Sequence, residues 1–264
     1  MMRYPLTTTH LLERAARIFG RKRVVSAGER PSVAHTWSEL EGRVRRLAAA
    51  LVDHGVRPGD RVATFGWNTH RHLELYFAAP AIGAVLHTVN VRLSGPQIEE
   101  VIGHGGAHIL FAEPELLERV DDAALDALDV RVRVSLSDRV PSGWRSYESL
   151  LDASAPLEVY PSLDEDSAAG LCYTSGTTGE PKGVRYSHRA IVLHTFAICL
   201  PDGFGLGERD VILPAVPMFH ANAWGLAHAA AMTGATLVLP GVHPDAPRLA
   251  ALLEEEQVTF AAGV

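Results

Sequence analysis

From Trp37 to His54, apolar side chains fall at Trp37, Leu40, Val44, Leu47 and Leu51. Steps of three and four place them on one face of a helix. Glu39, Arg43, Arg45 and Arg46 fill the rest of its circumference, and the basic cluster reads as a solvated helix face rather than an anion site. Gly55, Pro58 and Gly59 end that helix, and Arg61 to Phe65 reads as a short strand. The alternation continues with a helix over His70–Gly83, an extended run over Ala84–Thr88 and a helix over Ser94–Gly103. Ser94 is a suitable N-cap, with Pro96 and Glu99 in the first turn, and Ala107–Phe111 follows as a strand. Strands joined by helices of this length favour parallel pairing with right-handed crossovers.

Residues 154–166, SAPLEVYPSLDED, lose the periodicity and turn rich in proline and acid. This stretch reads as a surface connection between a first α/β subdomain, residues 1–153, and a second, residues 167–264. In the second part, Ser167–Tyr173 and Val184–Tyr186 read as extended, and Ser187 is placed to cap a helix running to about Leu200. Val211–Pro214 and Thr236–Leu239 read as strands with a helix after His220 between them; a helix over Ala246–Glu256 and a strand over Val258–Gly263 complete the chain. The expected fold is α/β, with mixed, largely parallel sheets flanked by helices. Because the sequence stops on the apolar strand TFAAGV with no polar tail, a fragment truncated in its second subdomain is expected.

Composition narrows the class. With 47% hydrophobic and 21% charged residues, the chain is neither a disordered tail nor a rod or fibre. A formal charge of -7 speaks against nucleic acid as a partner. The two cysteines, Cys172 and Cys199, sit in apolar runs rather than in a disulfide framework. Arg3, Glu13, Arg14 and Arg17 interrupt the N-terminus, so no signal peptide is read, and a cytoplasmic location is expected. The thirteen histidines show no zinc spacing: Gly105 and Gly106 separate His104 from His108 without a Cys or carboxylate to complete a set, and His188, His194 and His228 show no ligand spacing.

The chemistry concentrates in Tyr173–Val184, YTSGTTGEPKGV. Gly176, Gly179 and Gly183 let backbone N–H groups converge, Thr174, Ser175, Thr177 and Thr178 add movable hydroxyl donors, and Lys182 supplies a point charge. Phosphate oxygens need that combination. The spacing is not that of a Walker A loop, since Lys182 is followed by Gly183, nor of a nucleophile elbow, since Tyr173 and Thr177 flank Ser175 where glycines would be required.

In its full order this segment resembles the phosphate-binding loop of the adenylate-forming enzymes, which include acyl-CoA synthetases, luciferases and peptide-synthetase adenylation domains. PMFHANAWG, at Pro217–Gly225, resembles the next motif of that superfamily in the form found in medium- and long-chain fatty acyl-CoA synthetases. TWSEL at Thr36–Leu40, GVRPGDRVA at Gly55–Ala63 and NVRL at Asn90–Leu93 match in the same order, so the resemblance covers nearly the whole chain.

That resemblance implies the N-terminal portion of the large domain of such an enzyme. The implied activity is ATP-dependent conversion of a fatty acid to its acyl-adenylate, then thioester formation with CoA, with Mg²⁺ as the metal. It implies Thr174 at Mg²⁺, the loop Ser175, Gly176, Thr177, Thr178 and Gly179 on the β- and γ-phosphates, and Lys182 on the leaving pyrophosphate. It further implies His220 beside the reacting carboxylate, with Ala221 and Trp224 near the nucleotide and the fatty acid tunnel, Trp224 acting as a gate. The adenine pocket, the Mg²⁺-sharing glutamate, the ribose-binding aspartate and the C-terminal lysine would follow Val264, so this chain alone is expected to be inactive. Resemblance to dimeric synthetases implies a homodimer for the intact enzyme and leaves membrane contact open. The alternatives are a non-catalytic nucleotide-binding or interaction remnant, and a ligase of the fatty acyl-AMP or aryl-acid type.

Overall fold

The computed structural model describes residues 4–28, 32–175 and 181–263. The elements run α1 (Thr8–Ile18), β1 (Arg23–Ser26), β2 (Val33–Thr36), α2 (Trp37–Asp53), β3 (Arg61–Phe65), α3 (His70–Ala81), β4 (Val85–Thr88), α4 (Gly95–Gly105) and β5 (Ala107–Ala112). Next come α5 (Pro114–Leu117), α6 (Asp122–Ala127), β6 (Val132–Ser135), β7 (Arg145–Ser146), α7 (Tyr147–Asp152), β8 (Ala168–Ser175) and β9 (Pro181–Ser187). The last are α8 (His188–Cys199), β10 (Val211–Pro214), α9 (Leu226–Thr233), β11 (Thr236–Leu239), α10 (Ala246–Glu255) and β12 (Phe260–Ala262).

Two sheets form, one in the order β12-β10-β11-β1-β2 and one in the order β7-β6-β5-β3-β4-β8-β9. Every pairing is parallel except β1 with β2 and β8 with β9. Both sheets take strands from either side of residues 154–166, a segment with no helix or strand. That segment is docked: the Arg45 guanidinium donates to the carbonyls of Leu157 and Glu158, both at 2.9 Å, and stacks over the Tyr160 ring.

The largest core joins one face of each sheet through α1, α2, α3, α7 and α9, with Val24, Ile212 and Leu237 on one side and Val62, Leu86, Ile109 and Phe111 on the other. A second core packs α4, α5 and α6 on the far face of the larger sheet, and a third packs Leu252 of α10 on the far face of the smaller. The layers therefore alternate helix, sheet, helix, sheet, helix, and each sheet is covered on both faces as parallel strands require.

Local sequence explains where the helices start. Thr36 closes a reciprocal cap on α2: its hydroxyl accepts the Glu39 N–H at 3.2 Å, and the Glu39 carboxylate accepts the Thr36 N–H at 2.7 Å. The Trp37, Leu40, Val44, Leu47 and Leu51 face is buried. Ser187 caps α8 by accepting the Ala190 N–H at 3.1 Å. α4 runs on to Gly105 and stops on Gly106 in the left-handed region, two residues beyond the expected end. β12 is shorter than the apolar run Val258–Gly263 suggests, because only Phe260–Ala262 find partners on β10. Among the described residues, no helix is long and apolar enough to cross a membrane.

Candidate active site

β8 and β9 form an antiparallel hairpin whose connecting residues, 176–180, include most of the predicted phosphate loop. Gly176, Thr177, Thr178 and Gly179 lie outside the described residues. β8 pairs in parallel with β4, so Ser175 at its end lies at the carboxyl edge of the sheet's parallel strands. That is where α/β sheets place ligands. Thr174 is exposed and in register with Lys182 across the hairpin, and Ser175 is in register with Pro181. Lys182 is exposed and makes no hydrogen bond or ion pair among the described residues. An exposed hydroxyl side chain and an exposed cation thus stand at paired positions on the two strands.

The second motif adopts an unusual backbone. Ala221, Asn222, Ala223 and Trp224 have φ of 45°, 50°, 49° and 54°, and Gly225 follows at 78°. This is one turn of left-handed helix built largely from residues with a Cβ. Such a conformation costs about 1–2 kcal/mol per non-glycine residue, less for asparagine. Gly225 is required where it stands, since a Cβ there would lie 2.8 Å from His194 Cδ2. His220 precedes the turn and is exposed; Ala221 is exposed, Ala223 buried, and Trp224 is 41% exposed.

Several contacts hold this strained turn, and they join it to the hairpin. The Cys172 thiol of β8 donates to Asn222 Oδ1 at 3.3 Å, and its sulfur lies 3.3 Å from Thr88 Oγ1. Burial pushes the Cys172 thiol up in pKa, so it serves as a weak donor rather than a nucleophile. His194 Nε2 donates to the Trp224 carbonyl at 3.2 Å. Tyr76 of α3 donates its hydroxyl proton to the Met218 carbonyl, and Asn68 Oδ1 accepts the Met218 N–H at 2.7 Å. Asn68, Tyr76, Cys172 and His194 are absent from the sequence-predicted set. Asn222 had a legible signal, because asparagine tolerates the left-handed region better than alanine or tryptophan.

The reading of the charged face of α2 changes. The Arg43 and Arg45 side chains are not a solvated face. Arg43 donates through Nε to the fully buried Glu74 at 2.7 Å and through Nη1 to Glu148 at 3.0 Å, while Arg71 Nε donates to Glu148 at 2.9 Å. Arg45 pairs with Glu41 and Glu13. Glu41 is one turn away on α2, but Glu13, Glu74 and Glu148 come from α1, α3 and α7, which the helical periodicity of α2 does not reveal. Among the described residues, His35, His70 and Glu74 are the set of potential metal ligands within 4.8 Å of one another. The Glu74 oxygens already accept Arg43 and, at 2.6 Å, the Tyr147 hydroxyl, so the carboxylate is committed to an ion-pair network.

Comparison with known proteins follows the same lines. The family model described as AMP-binding enzyme matches residues 12–264. A long-chain-fatty-acid–CoA ligase from Thermus thermophilus is 47% identical over the whole chain, which covers 48% of that relative. A medium-chain-fatty-acid–CoA ligase from Ectopseudomonas oleovorans is 43% identical, again over the whole chain and 50% of the relative. The chain thus spans about half the length of the curated relatives it matches, in their N-terminal portion. Among solved structures, a long-chain-fatty-acid–CoA ligase from Archaeoglobus fulgidus superposes with a TM-score of 0.83 at 23% identity, over 98% of this chain and 52% of that one. An anthranilate–CoA ligase gives 0.85 at 20% identity, over 98% of this chain and 50% of that one, a likeness of fold alone.

Proposed function

We propose, from the premise that this chain belongs to the AMP-binding enzyme family, that it forms the N-terminal half of a ligase that joins a fatty acid to CoA at the expense of ATP. In the first step a carboxylate oxygen attacks the α-phosphorus of ATP, forming the acyl-adenylate and releasing pyrophosphate. In the second the CoA sulfur, its proton lost, attacks the acyl carbon, and AMP leaves with the bonding pair. The barrier is one of charge and alignment, met by positioning and by electrostatic stabilisation of the triphosphate.

The observation that carries this reading is the meeting of the two motifs. The hairpin that sets Thr174 opposite Lys182 contacts the left-handed turn after His220 through Cys172 and Asn222. In the proposed assignment, the loop Ser175–Gly179 and Lys182 take the β- and γ-phosphates, and Lys182 steadies the leaving pyrophosphate. Mg²⁺, which neutralises phosphate charge when bound, would be held in part by the Thr174 hydroxyl, whose exposure near the end of β8 fits that use. His220 and Ala221 would border the carboxylate and nucleotide. Trp224, half-exposed on a strained turn, would close the acyl entrance and move aside for a chain. A cytoplasmic, homodimeric enzyme belongs to the same reading.

The test is pyrophosphate release by the polypeptide as its native gene encodes it, with ATP, Mg²⁺ and a series of acids from butyrate to palmitate, with benzoate as the aryl comparison. Release dependent on an aliphatic acid, followed by AMP release on adding CoA, is the expected result. Release with benzoate alone would move the substrate to the aryl class, and no release with any acid would refute the ligase reading.

A further inference from the structure

We infer that Asn68 is a positioning residue for the carboxylate side of the site. It fixes the segment that presents His220 and Trp224 through hydrogen bonds of its own that do not run to the phosphate hairpin. This rests on the carboxylate-activating function proposed above. Asn68 lies in the loop after β3, the central strand of the larger sheet, and its side chain crosses to the smaller sheet. Its Nδ2 donates to the carbonyls of Pro214 at 2.9 Å and Val216 at 3.0 Å, and its Oδ1 accepts the Met218 N–H at 2.7 Å. One buried carboxamide, 5% exposed, thereby holds three alternate backbone groups where the chain leaves β10.

Those groups need outside partners. Residues 215–220 belong to no helix or strand, so no regular ladder serves them. The Val216 N–H goes to the Ala262 carbonyl at 2.9 Å, and Tyr76 takes the Met218 carbonyl. Both backbone groups of Met218, two residues before His220, are therefore held by side chains of the β3–α3 region. The loop is itself fastened to the smaller sheet: the Asn68 carbonyl accepts the Gly241 N–H at 3.0 Å, and Trp67 packs on His243 with ring centroids 4.3 Å apart.

Only a side chain that donates twice and accepts once at this length satisfies all three groups. Aspartate would turn a negative oxygen toward two carbonyls, and leucine would leave three buried backbone groups unpaired. Asn68 has no hydrogen bond to β8 or β9 among the described residues. Its loss should move His220 and Trp224 while leaving Thr174 and Lys182 where they are.

The experiment compares Asn68→Asp with the unsubstituted protein, as its native gene encodes it, in steady-state acyl-adenylate formation. Asn68→Ser, which removes the long double donor without adding a charge, is the milder second variant should the first fold poorly. For both we expect the KM for the fatty acid to rise, by at least about tenfold for Asn68→Asp, with the KM for ATP within about twofold. Relative rates along the acyl series should change, and hydrogen exchange should quicken in peptides covering 214–220 but not in β8. A fall in thermal stability with both KM values and the acyl preference unchanged would reduce Asn68 to a structural role and overturn the inference. Failure of the unsubstituted protein to activate any acid would instead refute the function on which the inference rests.

Discussion

Lowering the pH should destabilise this protein before its ordinary carboxylates titrate, because five histidines are buried in their neutral form. Burial holds His70 and His87 down to about 3, and His72, His188 and His228 down to about 4, against an ordinary value of 6.5. The native values lie below the unfolded one, so the unfolded chain takes up protons first. The stability they support is complete above 6.5 and drains away as the pH falls toward 4 and 3. At pH 5.5 each such histidine costs on the order of 1 kcal/mol, so the five together cost several kcal/mol. Glu113 opposes them. Burial, with Glu115 beside it, pushes its carboxyl up to about 8, so the native state keeps a proton that the unfolded chain releases. Between pH 7.5 and 5.5 it returns about 2–3 kcal/mol, leaving a net loss of a few kcal/mol, on the order of half what the histidines cost. Against a total stability of about 5–15 kcal/mol that is a large fraction. Urea unfolding followed by tryptophan fluorescence at pH 7.5, 6.5 and 5.5, at fixed ionic strength, reads it directly. His228→Phe, which replaces an imidazole packed on Tyr76 and Phe77 whose Nδ1 has no partner, should flatten the slope by about one proton. An identical urea midpoint at pH 7.5 and 5.5 would refute the reasoning.

Other expectations are narrower. Thr36→Ala removes the hydroxyl that accepts the Glu39 N–H and should lower unfolding free energy by about 1 kcal/mol in the same urea assay. Lys182→Ala should slow acyl-adenylate formation at least about tenfold, more than about 1.4 kcal/mol of transition-state stabilisation, in a pyrophosphate-release assay. Unchanged kinetics would remove Lys182 from the phosphate site. Trp224→Ala should change the dependence of rate on acyl chain length, measured as relative kcat/KM along the acid series; preserved ratios would exclude the gate.

Elements with a strong local pattern are legible in the sequence. The strands Arg61–Phe65, Val211–Pro214 and Thr236–Leu239 have the expected bounds, and α2 follows its apolar stripe. β1 and β2 are less legible: Arg23 and Ser26 leave β1 only two apolar residues, β2 is a partly exposed edge strand VAHT, and α1 buries Thr8 and Thr9 beside Leu11, Leu12 and Ala15, which blurs its apolar stripe. The region from Glu113 to Asp152 holds only short helices and strands, with little periodicity to read. The site divides in the same way. Its two linear motifs are legible because their chemistry is contiguous, whereas Asn68 and Tyr76 act on backbone 142–150 residues away. Arg43 is misread for the same reason: its acids, Glu74 and Glu148, lie 31 and 105 residues downstream.

The pairing of β1 with β11 also sets a timetable for synthesis. Leu237, the partner of Val24, follows it by 213 positions. At about 5–20 residues per second, a ribosome delivers β11 some 10–40 s after β1. The central strands of the larger sheet, β3 to β6, lie close together in sequence and can assemble during that interval. Meanwhile Val24 and Val25, buried in the finished protein, have β2 as a strand partner and await β11. A nascent chain stalled before Thr236 therefore displays an apolar strand edge, and during that interval it depends most on chaperones to avoid joining its neighbours.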